Sequence, residues 1–535
     1  MTSSKNSSSD ASNLHPLQVP ELFDAICQLL NTKACANLLF VSRHTYTVML
    51  PIVWQDVNME DLFRLIPGTN ITETSTNYLK GYAIHFPATP DLTRFAIHAP
   101  FVKTLWVSDL YVVNFPSDWP SSGPDATTNP LLPNLQCLAV TFFHGVKSIL
   151  RINWISRLLY PGLLGLETFS SRELSSNLKE YHPWLNQDFC FELVDEISRV
   201  CPRIETLRLF PKDIAQSDED NCIRIYKQIA SLQHLRSLTF SGTIVHEELL
   251  KALGQLPHLE TLSLCTDFTE EWDYDESPLS VPDDSFTSLR HLYLYGLDES
   301  TMSRVCKVPP LFRHLVKTTI IFEDQCFDEN LGDDERSDVA VTCLGQNSLH
   351  LEELTILPRG NNGWFVVTRP TLDMFKHMPL RYLRLGHFTF GGVHIDEDES
   401  EDESTNNQGN RFESIWQNFL ASVPQLEELR LERQSFDPQL LQLIALRLPN
   451  LQLLVFGNLD LGKVKSSSKT KGVAVQPVTL RGHSYFRTRK SFWRDEHHDP
   501  PNEETIYNAA KFVAYHTKHE IERLTSEQIY TWYMG

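Results

Sequence analysis

The stretch LPHLETLSLC at residues 256–265 carries the pattern L-x-x-L-x-L, formed by Leu259, Leu262 and Leu264. Its last four positions alternate apolar and polar residues, which is typical of a short β-strand with one buried face. The pattern recurs along the chain, so the search for a repeat comes first. Clear copies are CPRIETLRLF at 201–210, SLQHLRSLTF at 231–240, FTSLRHLYLY at 286–295, SLHLEELTIL at 348–357, MPLRYLRLGH at 378–387, VPQLEELRLE at 423–432 and LPNLQLLVFG at 448–457.

Further copies are earlier or degenerate, and the segments between copies have helical spacing. These copies are APFVKTLWVS at 99–108, LLPNLQCLAV at 131–140, PGLLGLETFS at 161–170 and FRHLVKTTII at 312–321. A strand with a returning helix cannot bury its apolar face alone, but stacked copies can. The pattern therefore predicts an α/β fold, an irregular leucine-rich-repeat solenoid shaped like a horseshoe. The alternative, an ordinary α/β domain with leucine-rich strands, is less consistent with about ten to twelve copies.

The composition restricts the classes of function. The 535 residues include 47 Lys and Arg against 68 Asp and Glu, a formal net charge of -21. A surface this acidic argues against general nucleic-acid binding, and no apolar run reaches the roughly 18 residues that cross a bilayer. The start of the chain lacks the apolar core of a secretory signal, and the 10 Cys form no C-x-x-C pair. These features predict free thiols and a cytoplasmic or nuclear location.

No catalytic or cofactor motif is present. The phosphate-binding and nucleophile-elbow patterns are missing, and Gly is low at 22 residues. His497, His498 and Asp499 form the nearest thing to a metal site, but adjacent side chains rarely reach one ion. We therefore expect no enzyme activity, no cofactor and no metal.

Residues 14–57 differ from the repeats in having helical periodicity. Pro20 suits the first turn of a helix, and Leu22, Ile26 and Leu29 then fall near one face. Two further short helices are expected before residue 57. A module of this size is too small to be stable alone, so its core should be completed by the solenoid or by another protein.

Three short motifs in this segment carry a family resemblance. They are V-P-E-L at 19–22, L-L-F-V-S-R at 38–43 and P-I-V-W at 51–54, and with these the segment resembles an F-box, most closely that of fungal members. Thr45 stands where the family usually has an aromatic residue, and Ser42 where it commonly has Cys. With the repeats behind it, the chain resembles the F-box/leucine-rich-repeat class.

The resemblance implies a substrate receptor of an SCF-type (Skp1–cullin–F-box) ubiquitin ligase. An all-α F-box-like module would dock on Skp1, and through it on cullin, while the repeats bind a protein target whose identity does not follow from the sequence. The residues expected to form or support the docking surface are Pro20, Leu22, Ile26, Leu38, Val41 and Trp54. Two alternatives remain open, a helical cap of a repeat scaffold that does not bind Skp1, and a GTPase-activating horseshoe.

The residues between the buried leucines are expected to line the concave face that binds the target. Tyr and Arg are common anchors of protein interfaces, although the tyrosines could instead pack on neighbouring strands. The target-binding candidates are Arg208, Phe210, His291, Tyr293, Tyr295, Tyr382, Arg384, Arg430 and Glu432.

The remaining segments complete the predicted domain order. The acidic run at 396–410 is typical of a solvated loop, and the basic and aromatic segment 481–494 suits either a capping strand or, less well, a nucleic-acid contact. The predicted ranges are a disordered tail at 1–13, the F-box-like module at 14–57, a linker and first-repeat cap at 58–98, the solenoid at 99–461, and a basic linker with a C-terminal cap at 462–535.

Overall fold

A computed structural model describes most of the chain between residues 20 and 482. The described ranges are 20–30, 32–76, 79–108, 111–115, 131–142, 155–170, 185, 187–211, 219–241, 246–265, 279–297, 299–322, 338–358, 365–386, 388–390, 406–436, 438–459 and 479–482. The chain divides into two compact units, Met1–Leu207 and Arg208–Gly535. This boundary falls inside the single range 99–461 that the sequence predicts for the solenoid.

The first unit begins with three helices, as the periodicity predicts. They are α1 (Pro20–Gln28), α2 (Thr32–Leu38) and α3 (Arg43–Val53). Pro51 lies inside α3, so the helix continues for two residues past it. The missing N–H of Pro51 affects only the last helical turn, where a single lost hydrogen bond is tolerated.

These helices enclose a small core that is rich in sulfur. Phe23, Cys27, Cys35 and Met49 are buried, and the Cys27 thiol lies 3.1 Å from the Met49 sulfur. The side chains packed partly against this cluster are Leu38, Leu39, Val48, Ile52 and Val53. The core is therefore formed by few residues, as expected for a module of this size.

A parallel sheet follows directly after the helices of the first unit. Its strands are β1 (Asp56–Asn58), β4 (Thr104–Ser108), β6 (Cys137–Phe142) and β7 (Gly165–Ser170), adjacent in that order. Strands β4, β6 and β7 lie in predicted repeat copies. Strand β1 does not, since Asp-Val-Asn contains no leucine.

The first unit also contains a second, smaller sheet, with two strands before β4 and one after it. Strands β2 (Asn70–Thr76) and β3 (Leu79–His85) are antiparallel, and β5 (Tyr111–Asn114) lies parallel to β3. Helices α4 (Met59–Phe63) and α5 (Thr93–His98) flank the hairpin. The range 58–98, expected to be a linker and cap, thus contributes two of the three strands of a separate sheet. Later in this unit lie α6 (Gln187–Val200) and the start of β8 (Thr206–Leu209).

Within the described ranges, the second unit contains nine further parallel strands in sequence order, and one strand is skipped at each of two places. The order is β9 (Ser237–Ser241), β10 (Thr261–Cys265), β11 (His291–Leu297), β12 (Lys317–Phe322), β13 (Glu353–Pro358), β15 (Tyr382–Leu385), β17 (Glu428–Phe436), β18 (Leu453–Leu459) and β19 (Thr479–Gly482). The skipped strands, β14 (Phe365–Val367) and β16 (Phe388–Phe390), pair with each other. Every repeat copy quoted from the sequence contributes one strand, and the parallel arrangement of these strands is compatible with the predicted solenoid.

Helices or short turns return the chain from one strand to the next. In the second unit the helices are α7 (Glu219–Ser231), α8 (Glu247–Gly254), α9 (Glu299–Cys306), α10 (Pro309–Phe312), α11 (Asp338–Asn347), α12 (Arg369–Phe375), α13 (Asn406–Ser422) and α14 (Pro438–Arg447). Because α13 begins at Asn406, residues 406–410 are helical rather than part of the predicted acidic loop. Residues 1–13, 396–405, 462–478 and 483–535 lie outside the described part of the chain.

Two features hold each repeat in register. The repeat leucines are buried, with Leu262 and Leu292 fully inaccessible. The carbonyl oxygen of the residue before each strand accepts two N–H groups of the next copy: Glu260 accepts from Arg290 and His291, both at 2.9 Å. The same double acceptance recurs at Arg236, Arg290, Val316, Glu352, Arg381 and Glu427. Apolar burial and this ladder together align the strands, so the residues between the leucines share one face.

Candidate interaction surfaces

Helices α1–α3 and their turns expose many apolar side chains. In the described part of the chain eleven large hydrophobic side chains are exposed, and seven of these lie between residues 22 and 46. We call these seven the exposed apolar set: Leu22, Ile26, Leu29, Leu30, Phe40, Val41 and Tyr46. Leu29 and Phe40 reach 87% and 88% exposure. Concentrated apolar exposure of this kind marks an interaction site more often than chance.

Three of the predicted docking residues belong to this set. Leu22 and Ile26 are four residues apart on α1 and therefore share one side of the helix, and both are exposed. Val41 lies in the turn between α2 and α3 and is 67% exposed. All three side chains are available to a partner.

The other three predicted docking residues lie differently. Leu38 packs partly against the sulfur-rich core. The Trp54 ring is half-buried, with its centroid 4.4 Å from that of His98 on α5. Pro20 begins α1, but its side chain lies outside the described part. Leu38 and Trp54 therefore support the helices rather than present a free surface.

The two departures from the F-box pattern contact each other. Ser42 caps the N-terminus of α3: its side-chain oxygen accepts the N–H of Thr45 at 3.1 Å, and the Thr45 hydroxyl accepts the N–H of Ser42 at 2.9 Å. Thr45 is itself buried. This reciprocal capping box satisfies two backbone donors at the start of the helix, so Thr45 has a structural role in α3.

The strand face of the second unit holds most of the predicted target-binding residues. His291, Tyr293 and Tyr295 on β11 are half-exposed, as are Tyr382 and Arg384 on β15. They alternate with buried leucines, as the pattern predicts. Facing β11 across the ladder, β12 places Lys317, Thr319 and Ile321 opposite the same three residues.

Two arginines lie side by side on this face. Arg384 on β15 and Arg430 on β17 are register partners, and so are Tyr382 and Glu428. Adjacent strands are about 4.8 Å apart, so two guanidinium groups extend from neighbouring backbone positions. The Nε of Arg430 also contacts the Glu428 carboxylate. Alignment of Leu383 with Leu429 in the two repeat copies places these arginines side by side.

The charges beside β11 are partly compensated. Lys317 Nζ lies 2.7 Å from a Glu353 carboxylate oxygen on the next strand. Burial, followed by the positive charge of Lys317, lowers the pKa of His291. The His291 Nδ1 also lies 3.3 Å from the Thr261 hydroxyl. His291 therefore favours its neutral form and acts as a hydrogen-bonding group on this face.

One predicted target-binding residue is buried, and the side chain of another lies outside the described part. Phe210 is 1% exposed, so the prediction that it lies on the accessible face is wrong. Strand β8 ends at Leu209, and the alternation of faces ends with it. The Arg208 guanidinium carbon lies 5.3 Å from the Phe210 ring centroid, a cation–π distance. The side chain of Glu432 lies outside the described part.

Several of the residues that precede the strands of the second unit form ion pairs with one another. Arg236 pairs with Glu260 at 2.5 Å. Arg381 pairs with both Glu352, at 3.4 Å, and Glu427, at 2.6 Å. These exposed pairs add little stability individually. Each pair joins the residues that precede two neighbouring strands.

The strand face of the first unit was not predicted as a binding surface. Trp106 on β4 donates its indole N–H to the Asp56 carboxylate on β1 at 2.5 Å. Its ring centroid lies 5.4 Å from that of Phe169 on β7. The Glu167 carboxylate on β7 lies 3.7 Å from the Cys137 sulfur on β6. We call Asp56, Trp106, Glu167 and Phe169 the acidic–aromatic face.

The described cysteines are free thiols, in agreement with the prediction. Burial raises the pKa of Cys201 to about 12, which disfavours its thiolate. Within the described ranges no group of His, Cys, Asp or Glu is placed to hold a metal ion. The helices of those ranges are also too short or too polar to cross a membrane. His497, His498 and the segment 483–494 fall outside these ranges.

Comparison with known proteins adds nothing on which the fold or the function can be based. No protein-family model matches the chain, and no curated protein matches it. Among solved structures it is similar to TLR13 in the crystal structure of the TLR13-ssRNA13 complex, with 13% identity and a TM-score of 0.21. The match covers 68% of this chain and 61% of that chain, so this chain spans about three fifths of the TLR13 chain. At that TM-score the likeness carries no argument, and the leucine-rich-repeat character rests on the repeated strands.

Proposed function

We propose that this chain is a substrate-recognition adaptor of an SCF-type ubiquitin ligase, in which α1–α3 bind Skp1 and the strand face binds a protein target. The observation that carries the proposal is the exposed apolar set. Seven exposed apolar side chains lie within 25 residues, from Leu22 to Tyr46, beside a core cluster with four buried members among the described residues. A plain cap would instead cover its apolar residues and present a polar outer face.

A partner on α1–α3 would stabilise the module by covering this surface. Burial of apolar area contributes roughly 25 cal/mol per Å², and side chains such as Phe40 and Leu29 now contribute almost nothing. The F-box motif residues Leu22, Ile26 and Val41 belong to the exposed set, which supports Skp1 as the partner. Cullin would then be reached through Skp1.

In this proposal the chain performs no covalent chemistry. It holds a target on the strand face of its repeats and keeps it near the ubiquitin-conjugating enzyme that the ligase recruits. The gain is an increase in effective concentration of a target lysine. The half-exposed Tyr and Arg side chains of β11, β15 and β17 are of the types that anchor protein interfaces.

Co-purification with Skp1 tests the docking arm. The full chain carrying Leu22→Ser and Val41→Ser should lose Skp1, because both side chains are exposed and belong to the proposed interface. The matched control carries Ile97→Ser and Leu349→Ser, which are also exposed apolar residues but lie outside α1–α3. The control should retain Skp1, and both variants should unfold at the wild-type temperature.

Retention of Skp1 by the Leu22/Val41 variant would contradict the assignment of these residues. Deletion of residues 1–57 is a poorer test, because β1 (Asp56–Asn58) pairs with β4 and the deletion would remove two of its three residues. Point substitutions leave the sheet complete.

A second function is a leucine-rich-repeat interaction scaffold that does not bind Skp1. The contact between Trp54 and His98 favours this alternative, because it packs the end of the three-helix module against α5, as expected for a cap. Failure of the wild-type chain to recover Skp1, with the protein folded, would select this alternative.

A further inference from the structure

The acidic–aromatic face of the first unit has the chemistry of a binding surface for positive charge. Asp56 is exposed, and the other three members are half-exposed. The Trp106 and Phe169 rings meet above Ala139 of the intervening strand β6, where Trp106 and Ala139 are register partners. Ala139 is 2% exposed. The two rings therefore form a platform across three strands.

The two carboxylates of this face have no cationic partner within the described ranges, where neither Asp56 nor Glu167 forms an ion pair. The strand face of the second unit differs, since Lys317 pairs with Glu353 there. Uncompensated carboxylates beside aromatic rings attract cations through both charge and the ring quadrupole.

The charges of the two carboxylates add together at one point of this face. Burial raises the pKa of the Cys137 thiol to about 12, and the charges of Glu167 and Asp56 act in the same direction. Both carboxylates thus act on one point of the sheet, the Cys137 sulfur between them. A phosphate group would be repelled by the same field, so this face does not suit nucleic acid.

The spacing of the carboxylates sets the shape of the ligand. Asp56 lies on β1 and Glu167 on β7, with β4 and β6 between them. In the register of these strands Asp56 is level with Gly165, so Glu167 lies three strand intervals across and two residues further along. Intervals of about 4.8 Å and a rise of about 3.3 Å per residue place the two backbones about 16 Å apart. In an extended peptide this distance corresponds to residues about four to five positions apart.

We propose that the acidic–aromatic face binds an extended segment of a protein partner that carries two basic residues about four to five positions apart, with arginine preferred. One cation would pair with Asp56 and the other with Glu167, and the guanidinium plane would lie against Trp106 or Phe169. Arginine suits the site because its planar group stacks on rings and forms paired hydrogen bonds with carboxylates. Lysine offers the charge without the plane.

This inference deepens the proposed function, because it names the chemistry of a partner for the strand face. It does not involve Skp1 or the helices α1–α3. Skp1 binding by α1–α3 and peptide binding by the acidic–aromatic face can therefore be tested independently.

A phage-displayed library of random dodecapeptides, selected on the purified full chain, provides the probe. Synthetic copies of the selected peptides are then measured against wild type and against the double variant Asp56→Asn with Glu167→Gln. These isosteric changes remove the charges while keeping oxygen acceptors for the Trp106 N–H and the Cys137 thiol. The matched control, Asp61→Asn with Glu192→Gln, neutralises two exposed carboxylates of α4 and α6 in the same unit.

The expected peptides contain spaced Arg or Lys residues and bind the double variant about tenfold more weakly, as for loss of a charged hydrogen bond. The control variant should bind like wild type, and replacement of the selected Arg by Lys should weaken binding. Peptides that bind wild type and the double variant equally, peptides without basic residues, or a selection that yields no binder would each overturn the proposal. Skp1 recovery by the double variant should match wild type, so a failure of wild type and variants alike to recover Skp1 would count against the proposed function alone.

Discussion

On β11, Leu292 and Leu294 are fully buried between neighbouring strands, whereas on α1 Leu22 and Ile26 of a similarly apolar sequence are exposed. The repeats use their leucines to close their own core. Helices α1–α3 bury few side chains, chiefly Phe23, two cysteines and Met49. Both regions have regularly spaced apolar residues, so the spacing alone does not distinguish a buried face from an exposed one.

The difference follows from what each region stacks against. A repeat strand has a pleated neighbour on either side, so a leucine at the same position of each copy meets other leucines. The short helices have no such neighbours and cover their sulfur-rich core with only one side of each helix. The remaining apolar side chains are left for a partner, or for water.

The largest effect should come from removing a repeat leucine. Leu292→Ala is expected to lower the free energy of unfolding by about 2–5 kcal/mol, because it opens a cavity in a fully packed site. Leu29→Ala on the exposed set should change it by less than about 0.5 kcal/mol. Urea denaturation of both variants checks the contrast, and equal losses would mean that Leu29 is buried in solution.

The next effect concerns how tightly the repeats pack. A Cβ on Gly254, the last residue of α8, would lie 2.6 Å from the Ser285 Cβ. Gly254→Ala should therefore lower the free energy of unfolding by about 1–3 kcal/mol, although Ala has a higher helix propensity than Gly. Adding Ser285→Gly should restore part of the loss in thermal unfolding. A single variant more stable than wild type would show that the two segments can separate freely.

A smaller effect is expected in the helical region. Ser42→Ala removes the side chain that caps α3 and should cost about 0.5–2 kcal/mol of local stability. Amide hydrogen exchange within α3 should accelerate, while exchange in β11 stays unchanged. Unaltered protection of α3 would indicate that packing, rather than the cap, holds its first turn.

The smallest change should be a gain. Thr318 occupies a repeat-leucine position on β12, and its buried hydroxyl oxygen has no hydrogen-bond partner among the described residues. Thr318→Val should raise the free energy of unfolding by about 1 kcal/mol. Thr355→Val on the half-exposed strand face is the control and should have almost no effect. A loss at Thr318 would mean that water or an undescribed group serves the hydroxyl.

The fold was predictable where leucine recurs and not elsewhere. Each quoted copy contains a strand, even the degenerate FRHLVKTTII, because backbone pairing in a stack tolerates one polar residue such as Thr318. Strand β1 was missed because Asp56–Asn58 is too short to show alternation. The sheet of β2, β3 and β5 was missed because its hairpin is rich in Thr and polar residues rather than leucine.

The candidate surfaces were predictable only in part. Residue spacing placed Tyr293 and Arg384 on the strand face, but it also placed Phe210 there, beyond the point where the strand ends. The pairing of Arg384 with Arg430 follows once the leucines of the two copies are aligned, because equivalent positions of neighbouring copies are register partners. The contact of Trp106 with Asp56 could not be predicted in this way, because β1 contains no repeat motif to align.

The carbonyl oxygen before each strand accepts two N–H groups of the next copy, whatever the number of residues between the two copies. The separation is 24 residues between Arg236 and Glu260 and 46 between Arg381 and Glu427. In both cases the N–H groups at the two equivalent positions of the next copy donate to the carbonyl oxygen. Lengthening a connection costs little, about 0.6 kcal/mol for each doubling of a flexible loop. Insertions and deletions can therefore accumulate on the outer side of the repeats over evolutionary time while the neighbouring recognition residues keep their places.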